Sequence, residues 1–262
     1  MRLFLITATF VATTATGAFA HDTWMLAAPP AADGTVTLSI TSGMDFPRNE
    51  SGPKANRVAR GGWRLGGNDG VLPSGTEGDS VLTLRVAVKG EGTGVAYASF
   101  LPRDIDLEED EVTHYMDEIG ASDELRGAWE SAGPGRKFHE VYTKHVKAFA
   151  RVGGTAADPS CLAPVGLAIE FVPAVDPTAL RAGETLEITV FKNGRPFPGF
   201  AVGAVCGADG AATLQHADAN GVVTFPIHHA GPWLVRGTEL RRNDDGTWAS
   251  DFTTMTFTAG GQ

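Results

Sequence analysis

Thr35-Val36-Thr37-Leu38-Ser39-Ile40-Thr41 alternates polar and apolar side chains residue by residue. Period two puts Val36, Leu38 and Ile40 on one face of an extended chain and the hydroxyls on the other, the pattern of a half-buried strand. Ser80 to Lys89 alternates likewise, and Gly94 to Leu101 is a third run of this kind. The intervening Gly90-Glu91-Gly92-Thr93 predicts that the second and third runs form a hairpin. Phe46 to Ser80 is rich in Gly, Asn and Pro and reads as long connections with a short strand around Trp63.

Towards the C-terminus the strands shorten and turns punctuate them. Leu167 to Val172, Glu184 to Lys192, Gly199 to Cys206, Ala211 to Gln215, Val222 to Ile227, Trp233 to Gly237 and Thr253 to Thr258 are each expected to be extended. That spacing is typical of an immunoglobulin-like sandwich. Asn193-Gly194 and Asn220-Gly221 supply turn residues that tolerate positive φ, and the second pair predicts a hairpin carrying His216 on one arm and His228 and His229 beyond the other. Between the two β regions, Asp104 to Trp129 is acidic, with Val112, Tyr115, Met116 and Ile119 spaced as one helix face. A second helix is expected from Ser122, as its cap, to Trp129. Lys137 to Ala148 reads as a helix handing over to a strand. The expected fold is mainly β: two immunoglobulin-like β-sandwich domains, 21–153 and 165–262, joined by a linker at 154–164. The first carries a short α-helical insertion at about 104–145.

The 262 residues include 33 Gly and 15 Pro, in keeping with many turns, and 42% hydrophobic against 20% charged residues excludes a disordered chain. With 21 basic and 31 acidic residues the net charge is −10, which argues against nucleic acid as a partner and favours cations. Arg2, the apolar run Leu3 to Ala12 and the small-x-small ending Ala18-Phe19-Ala20 read as a cleavable signal peptide over residues 1–20, with the periplasm as destination. The alternative, an uncleaved anchor, is disfavoured because Thr13, Thr14 and Thr16 interrupt a stretch already short for a bilayer. No direct membrane insertion is expected after cleavage. In an oxidising compartment Cys161 and Cys206 are expected to form a disulfide, worth about 4 kcal/mol by chain entropy. A two-thiolate metal site is the sharper alternative, but there is no Cys-x-x-Cys pair.

No phosphate loop, dinucleotide fingerprint, Gly-x-Ser-x-Gly elbow or His-Glu-x-x-His pair is present. His139 and His145 would lie about 120° apart on a helix, too far round to share an ion, an objection that a strand-like segment relaxes. His228 and His229, adjacent on a strand, are expected at an edge and on opposite faces. The acidic run Asp104 to Glu111 lacks the spacing of a calcium loop and reads as a solvated helix start. His21 is the informative residue: cleavage before it would let its α-amine and imidazole chelate one metal together. His139, His145 and His114 are the candidates for a further ligand. Trp233 and Val235 share a strand face, which makes Trp233 a core anchor.

His21-Asp22-Thr23-Trp24-Met25, Val141 to Gly153, Asp218 to Phe225, Ala230 to Arg236 and Thr254-Met255-Thr256-Phe257 together resemble a bacterial periplasmic family, the domain of unknown function numbered 4198. The resemblance implies a periplasmic component of nickel or cobalt uptake, with the metal on His21 and a membrane metal-uptake transporter as partner. Copper and zinc fit the same donors. The chain is accordingly expected to bind rather than to catalyse. Two alternatives stand beside this reading: a metal-free envelope adhesion or carbohydrate-binding module, and a copper-dependent oxidative enzyme using His21 and one further histidine.

Overall fold

A computed structural model describes residues 21–154 and 159–260; the expected signal peptide lies outside them. The chain opens with strands β1 (Asp22–Ala27), β2 (Thr35–Gly43), β3 (Val58–Leu65) and β4 (Asn68–Val71). It continues through β5 (Thr76–Glu77), β6 (Leu82–Ala87), β7 (Gly92–Phe100) and β8 (Arg103–Leu107) to helices α1 (Glu109–Glu118) and α2 (Asp123–Glu130). The long β9 (Phe138–Val152) follows, then β10 (Ile169–Pro173), β11 (Thr185–Lys192), β12 (Arg195–Pro196) and β13 (Ala201–Cys206). The last strands are β14 (Ala212–His216), β15 (Val222–Pro226), β16 (Gly231–Arg242) and β17 (Trp248–Ala259). The protein is mainly β, as expected.

The strands build three sheets. One has the order β1-β2-β6-β5; a second joins β10, β12 and β15 to β11. The third is a nine-stranded central sheet, β14-β13-β16-β17-β9-β7-β3-β4, with β8 continuing the β7 side of β9. All of its ladders are antiparallel except β9 with β17, which pair in parallel from Glu140 beside Trp248 to Ala148 beside Thr256. The expected boundary at 154–164 therefore separates chain segments that share a sheet.

Strand alternation gives this central sheet two buried faces. Ala96, Ala98, Phe100, Val146 and Ala148 point to the β1-β2-β6 sheet and share a core with Val36, Leu38, Ile40, Leu82 and Leu84. Val95, Phe149, Val235, Met255 and Phe257 point the other way and share a core with Ile169, Phe171, Leu186, Ile188 and Phe225. Trp233 lies in this second core at 2% exposure, as its strand position predicts. A third core, built on Phe138, Trp248 and Phe252, receives Val112, Tyr115 and Met116 of α1, Ile119 at its C-cap and Trp129 of α2.

Local signals account for several boundaries. The Glu111 carboxylate accepts from the Glu108 N–H at the start of α1, and Ser122 Oγ caps α2 through the Leu125 N–H. Asn193 and Gly194 turn β11 into β12 with φ of 50° and 76°.

Five expectations are corrected. Residues 138–152 are one continuous strand, not a helix followed by a strand, because pairing with β7, β8 and β17 satisfies the backbone along its length. The helical insertion is accordingly shorter, Glu109 to Glu130. β6 and β7 form no hairpin: β6 pairs with β2 and β5 while β7 pairs with β3 and β9, so the glycine-rich link crosses between sheets. The turn at Asn220-Gly221 likewise crosses, sending β14 to β13 and β15 to β11. Cys161 and Cys206 are both buried and are not joined by a disulfide. Cys161 sits on the Lys147 side of the second core, whereas Cys206 ends β13 beside Asp209.

Candidate functional site

β1 starts immediately after His21, and its beginning is fastened from three sides. Arg236 on β16 holds the Asp22 carboxylate at 2.6 Å and Glu118 of α1 at 3.0 Å. Lys144 Nζ donates to the His21 carbonyl at 2.5 Å and to Thr23 Oγ1 at 3.1 Å. Thr254 Oγ1 donates to the Thr23 carbonyl at 2.7 Å. Burial beneath this strand pushes the Lys144 ammonium down to about 8, against the pull of Asp22 and Glu140. The His21 ring itself is exposed.

Of the other three expected ligands, His145 is engaged elsewhere. His145 points to the opposite face of β9 from Lys144, is 5% exposed, and has both ring nitrogens engaged. Nδ1 lies 2.9 Å from Ser99 Oγ and Nε2 lies 3.0 Å from Asp251 Oδ1. Arg241 holds the other Asp251 oxygen at 2.8 Å. Burial raises the Asp251 carboxyl, but the hydrogen bonds from His145 and Arg241 more than reverse this and leave it below the ordinary carboxylate range. The series Ser99, His145, Asp251 has the connectivity of an acyl-transfer relay. Ser99, however, lies inside β7 and is paired on both sides, with Arg60 and His145. Such a position offers no converging pair of free N–H donors for an oxyanion. The network ties β7, β9, β16 and β17 together across one face.

His139 lies five residues before Lys144 in β9, on the other face, with Nδ1 2.8 Å from Asp106 Oδ1 on β8. His114 lies on the exposed side of α1.

Elsewhere the structure gathers donors that the sequence kept apart. Cys206 Sγ, an Asp209 oxygen and a His228 ring nitrogen all lie within 4.8 Å of one another. His229 is outside this group of three but reaches its carboxylate, with Nε2 3.3 Å from Asp209 Oδ2, and His228 Nε2 lies 3.4 Å from the same oxygen. The two histidines follow β15 in a connection rather than occupying a strand, so they reach the same carboxylate; the expected placement on opposite strand faces is corrected. The visible signal was the His228-His229 pair itself; what was missing was the β13–β16 ladder, which sets Cys206 opposite Trp233.

Among solved structures the chain is similar to a bacterial ice-binding adhesin, at 12% identity over 93% of this chain and 66% of that one, with a TM-score of 0.26. It is also similar to an Escherichia coli alpha-2-macroglobulin fragment, at 12% identity over 86% and 94% of the two chains and a TM-score of 0.21. A third is the major pilin subunit BcpA of Bacillus cereus, at 9% identity over 92% and 69%, with a TM-score of 0.18. The chain spans just under two thirds of the adhesin structure and about half of a tandem-repeat structure from a large adhesion protein. No curated protein matches it. A family model described as a domain of unknown function, DUF4198, matches residues 18–238, from before β1 into β16. The match takes in both the fastened start of β1 and the Cys206–His228 cluster, and the chain belongs to the DUF4198 family.

Proposed function

We propose that this protein is an envelope metal-binding protein, exported to the periplasm, cleaved before His21, and carrying nickel or cobalt on its mature amino terminus for an uptake transporter. The two sandwich-like packings of the central sheet serve as its rigid support. The observation that supports this reading is the fastening of β1: Arg236, Lys144 and Thr254 hold Asp22, His21 and Thr23 by main-chain and side-chain contacts, leaving the His21 ring outside. A terminus held in this way loses little freedom when its amine and imidazole close on an ion. His145 is withdrawn from ligation by Ser99 and Asp251, and His139 is paired with Asp106. The ion would therefore keep open coordination positions, which suits cargo that must be released.

The test is a metal-binding isotherm of protein beginning at His21 beside a copy with one extra residue before it. Stoichiometric nickel or cobalt binding that the extended copy loses is the expected result. Equal affinity in both copies, or no binding in either with retention on a glycan, overturns it.

A further inference from the structure

We propose that Cys206, Asp209 and His228, with His229 beside the carboxylate, form a second site, built wholly of side chains, for a divalent transition-metal ion of the cobalt, nickel, copper or zinc class. The site is separate from the amino terminus and does not depend on the His21 reading.

The local chain is shaped to bring the donors together. β13 ends at Cys206, and the following turn closes through Gly210 N–H to the Cys206 carbonyl at 2.8 Å and Cys206 N–H to the Ala211 carbonyl at 3.0 Å. Asp209 Oδ1 accepts the Ala211 N–H at 2.9 Å, which folds the carboxylate back over the turn with Oδ2 facing the histidines and the carboxylate hydrogen-bonded to Cys206. On the other side, Trp233 holds the histidine segment. Its Nε1 donates to the His229 carbonyl at 3.0 Å, and its ring meets the His228 ring edge-on at 4.9 Å. Trp233 is itself the ladder partner of Cys206, so both halves of the cluster hang from one β-pair.

The nitrogen–oxygen separations suit adjacent ligands of one ion. With bonds of about 2.0–2.2 Å to nitrogen and oxygen, the edges of a tetrahedron are about 3.3–3.6 Å. The two nitrogen–oxygen separations are 3.3 and 3.4 Å. The composition discriminates as well: one thiol, one imidazole and one carboxylate, with a second imidazole on that carboxylate, suit borderline and soft cations, whereas calcium and magnesium take oxygen. Access also fits. The Cys206 residue is 1% exposed at the floor, while the side chains of Asp209, His228 and His229 form an open rim at 37–54%. On binding, the thiol proton passes to solvent and the sulfur ligates as thiolate.

Cobalt(II) is the probe, because a cobalt–thiolate bond gives a near-ultraviolet charge-transfer band and a tetrahedral ion gives strong visible bands. The mature chain, kept reduced, is titrated beside Cys206→Ser, Asp209→Asn, His228→Asn, Cys161→Ser and the amino-terminally extended copy. Expected are a thiolate band in the parent, the Cys161→Ser variant and the extended copy, its loss in Cys206→Ser, and affinity reduced about tenfold or more in Asp209→Asn and His228→Asn. The last two change exposed side chains and leave the core intact, so the result does not hang on how Cys206→Ser folds. Absence of a thiolate band in the parent, or its persistence in Cys206→Ser, overturns the site; so does unchanged affinity in both surface variants. Visible cobalt bands without a thiolate band, lost in the extended copy, assign cobalt to His21 and overturn the second site alone.

Discussion

Asp251 joins the relay from Ser99 through His145 to the Arg241 guanidinium, and its charge holds both neighbours in place. Asp251→Asn keeps the shape and removes the charge, so a loss of about 1–3 kcal/mol is expected from chemical denaturation at pH 7. The pH dependence has a definite sign. The folded-state pKa lies below the unfolded one, so the stabilisation is fully present above the unfolded carboxylate range and drains away as pH falls through the folded value. Asp251→Asn should therefore flatten part of the acid limb of the stability curve; an acid limb identical to the parent's would show that the charge contributes nothing. His139 and His145 illustrate what residue type alone conveys: both are histidines on one strand, yet one is exposed beside Asp106 and the other is closed off by two partners.

At the scale of elements, the β9–β10 contact is the most exacting. Lys147, 1% exposed, donates to Glu170 at 2.6 Å and to the Phe171 carbonyl at 3.0 Å. Glu170 in turn accepts from the N–H groups of Val165, Gly166 and Leu167, fixing the approach to β10. Lys147→Met should cost about 3–5 kcal/mol, because a carboxylate stays buried without its cation. Glu170→Ala should cost more, since it strands the ammonium and three N–H groups together; the reverse order would refute this account of the loop. α1 ends at a second demanding position. Gly120 has φ of +62°, and a Cβ there would meet Ala201 Cβ at 2.9 Å and Leu214 Cδ2 at 3.2 Å. Gly120→Ala should lower stability by about 1 kcal/mol or more, through backbone strain and a displaced α1–β13 contact, measurable as a reduced melting temperature.

For the molecule as a whole, the parallel β9–β17 pairing and the two-faced central sheet couple the halves of the chain. Cutting between them would expose the β17 edge of β9 and one face of Phe149 and Val95. Denaturant unfolding should accordingly follow a single transition, with tryptophan emission and far-ultraviolet dichroism superimposing. Two separated transitions would show that the segments before and after 154–164 hold their structure independently.

What the sequence determined by itself is what local forces decide. Period-two alternation in Thr35 to Thr41, the helix face from Val112 to Ile119, the Ser122 cap, the Asn193-Gly194 turn and the burial of Trp233 were all legible, because each depends on neighbours a few residues away. Partner choice was not. The glycine-rich turn after β6 and the Asn220-Gly221 turn look locally like hairpins, but hydrophobic burial on both faces of the central sheet sends their arms into different sheets. The same holds for chemistry. That Cys206 meets His228 instead of Cys161, and that His145 spends both nitrogens on Ser99 and Asp251, depends on which strands lie side by side. Those pairings are settled by the packing of the whole chain, where one ladder brings together residues that the sequence keeps far apart.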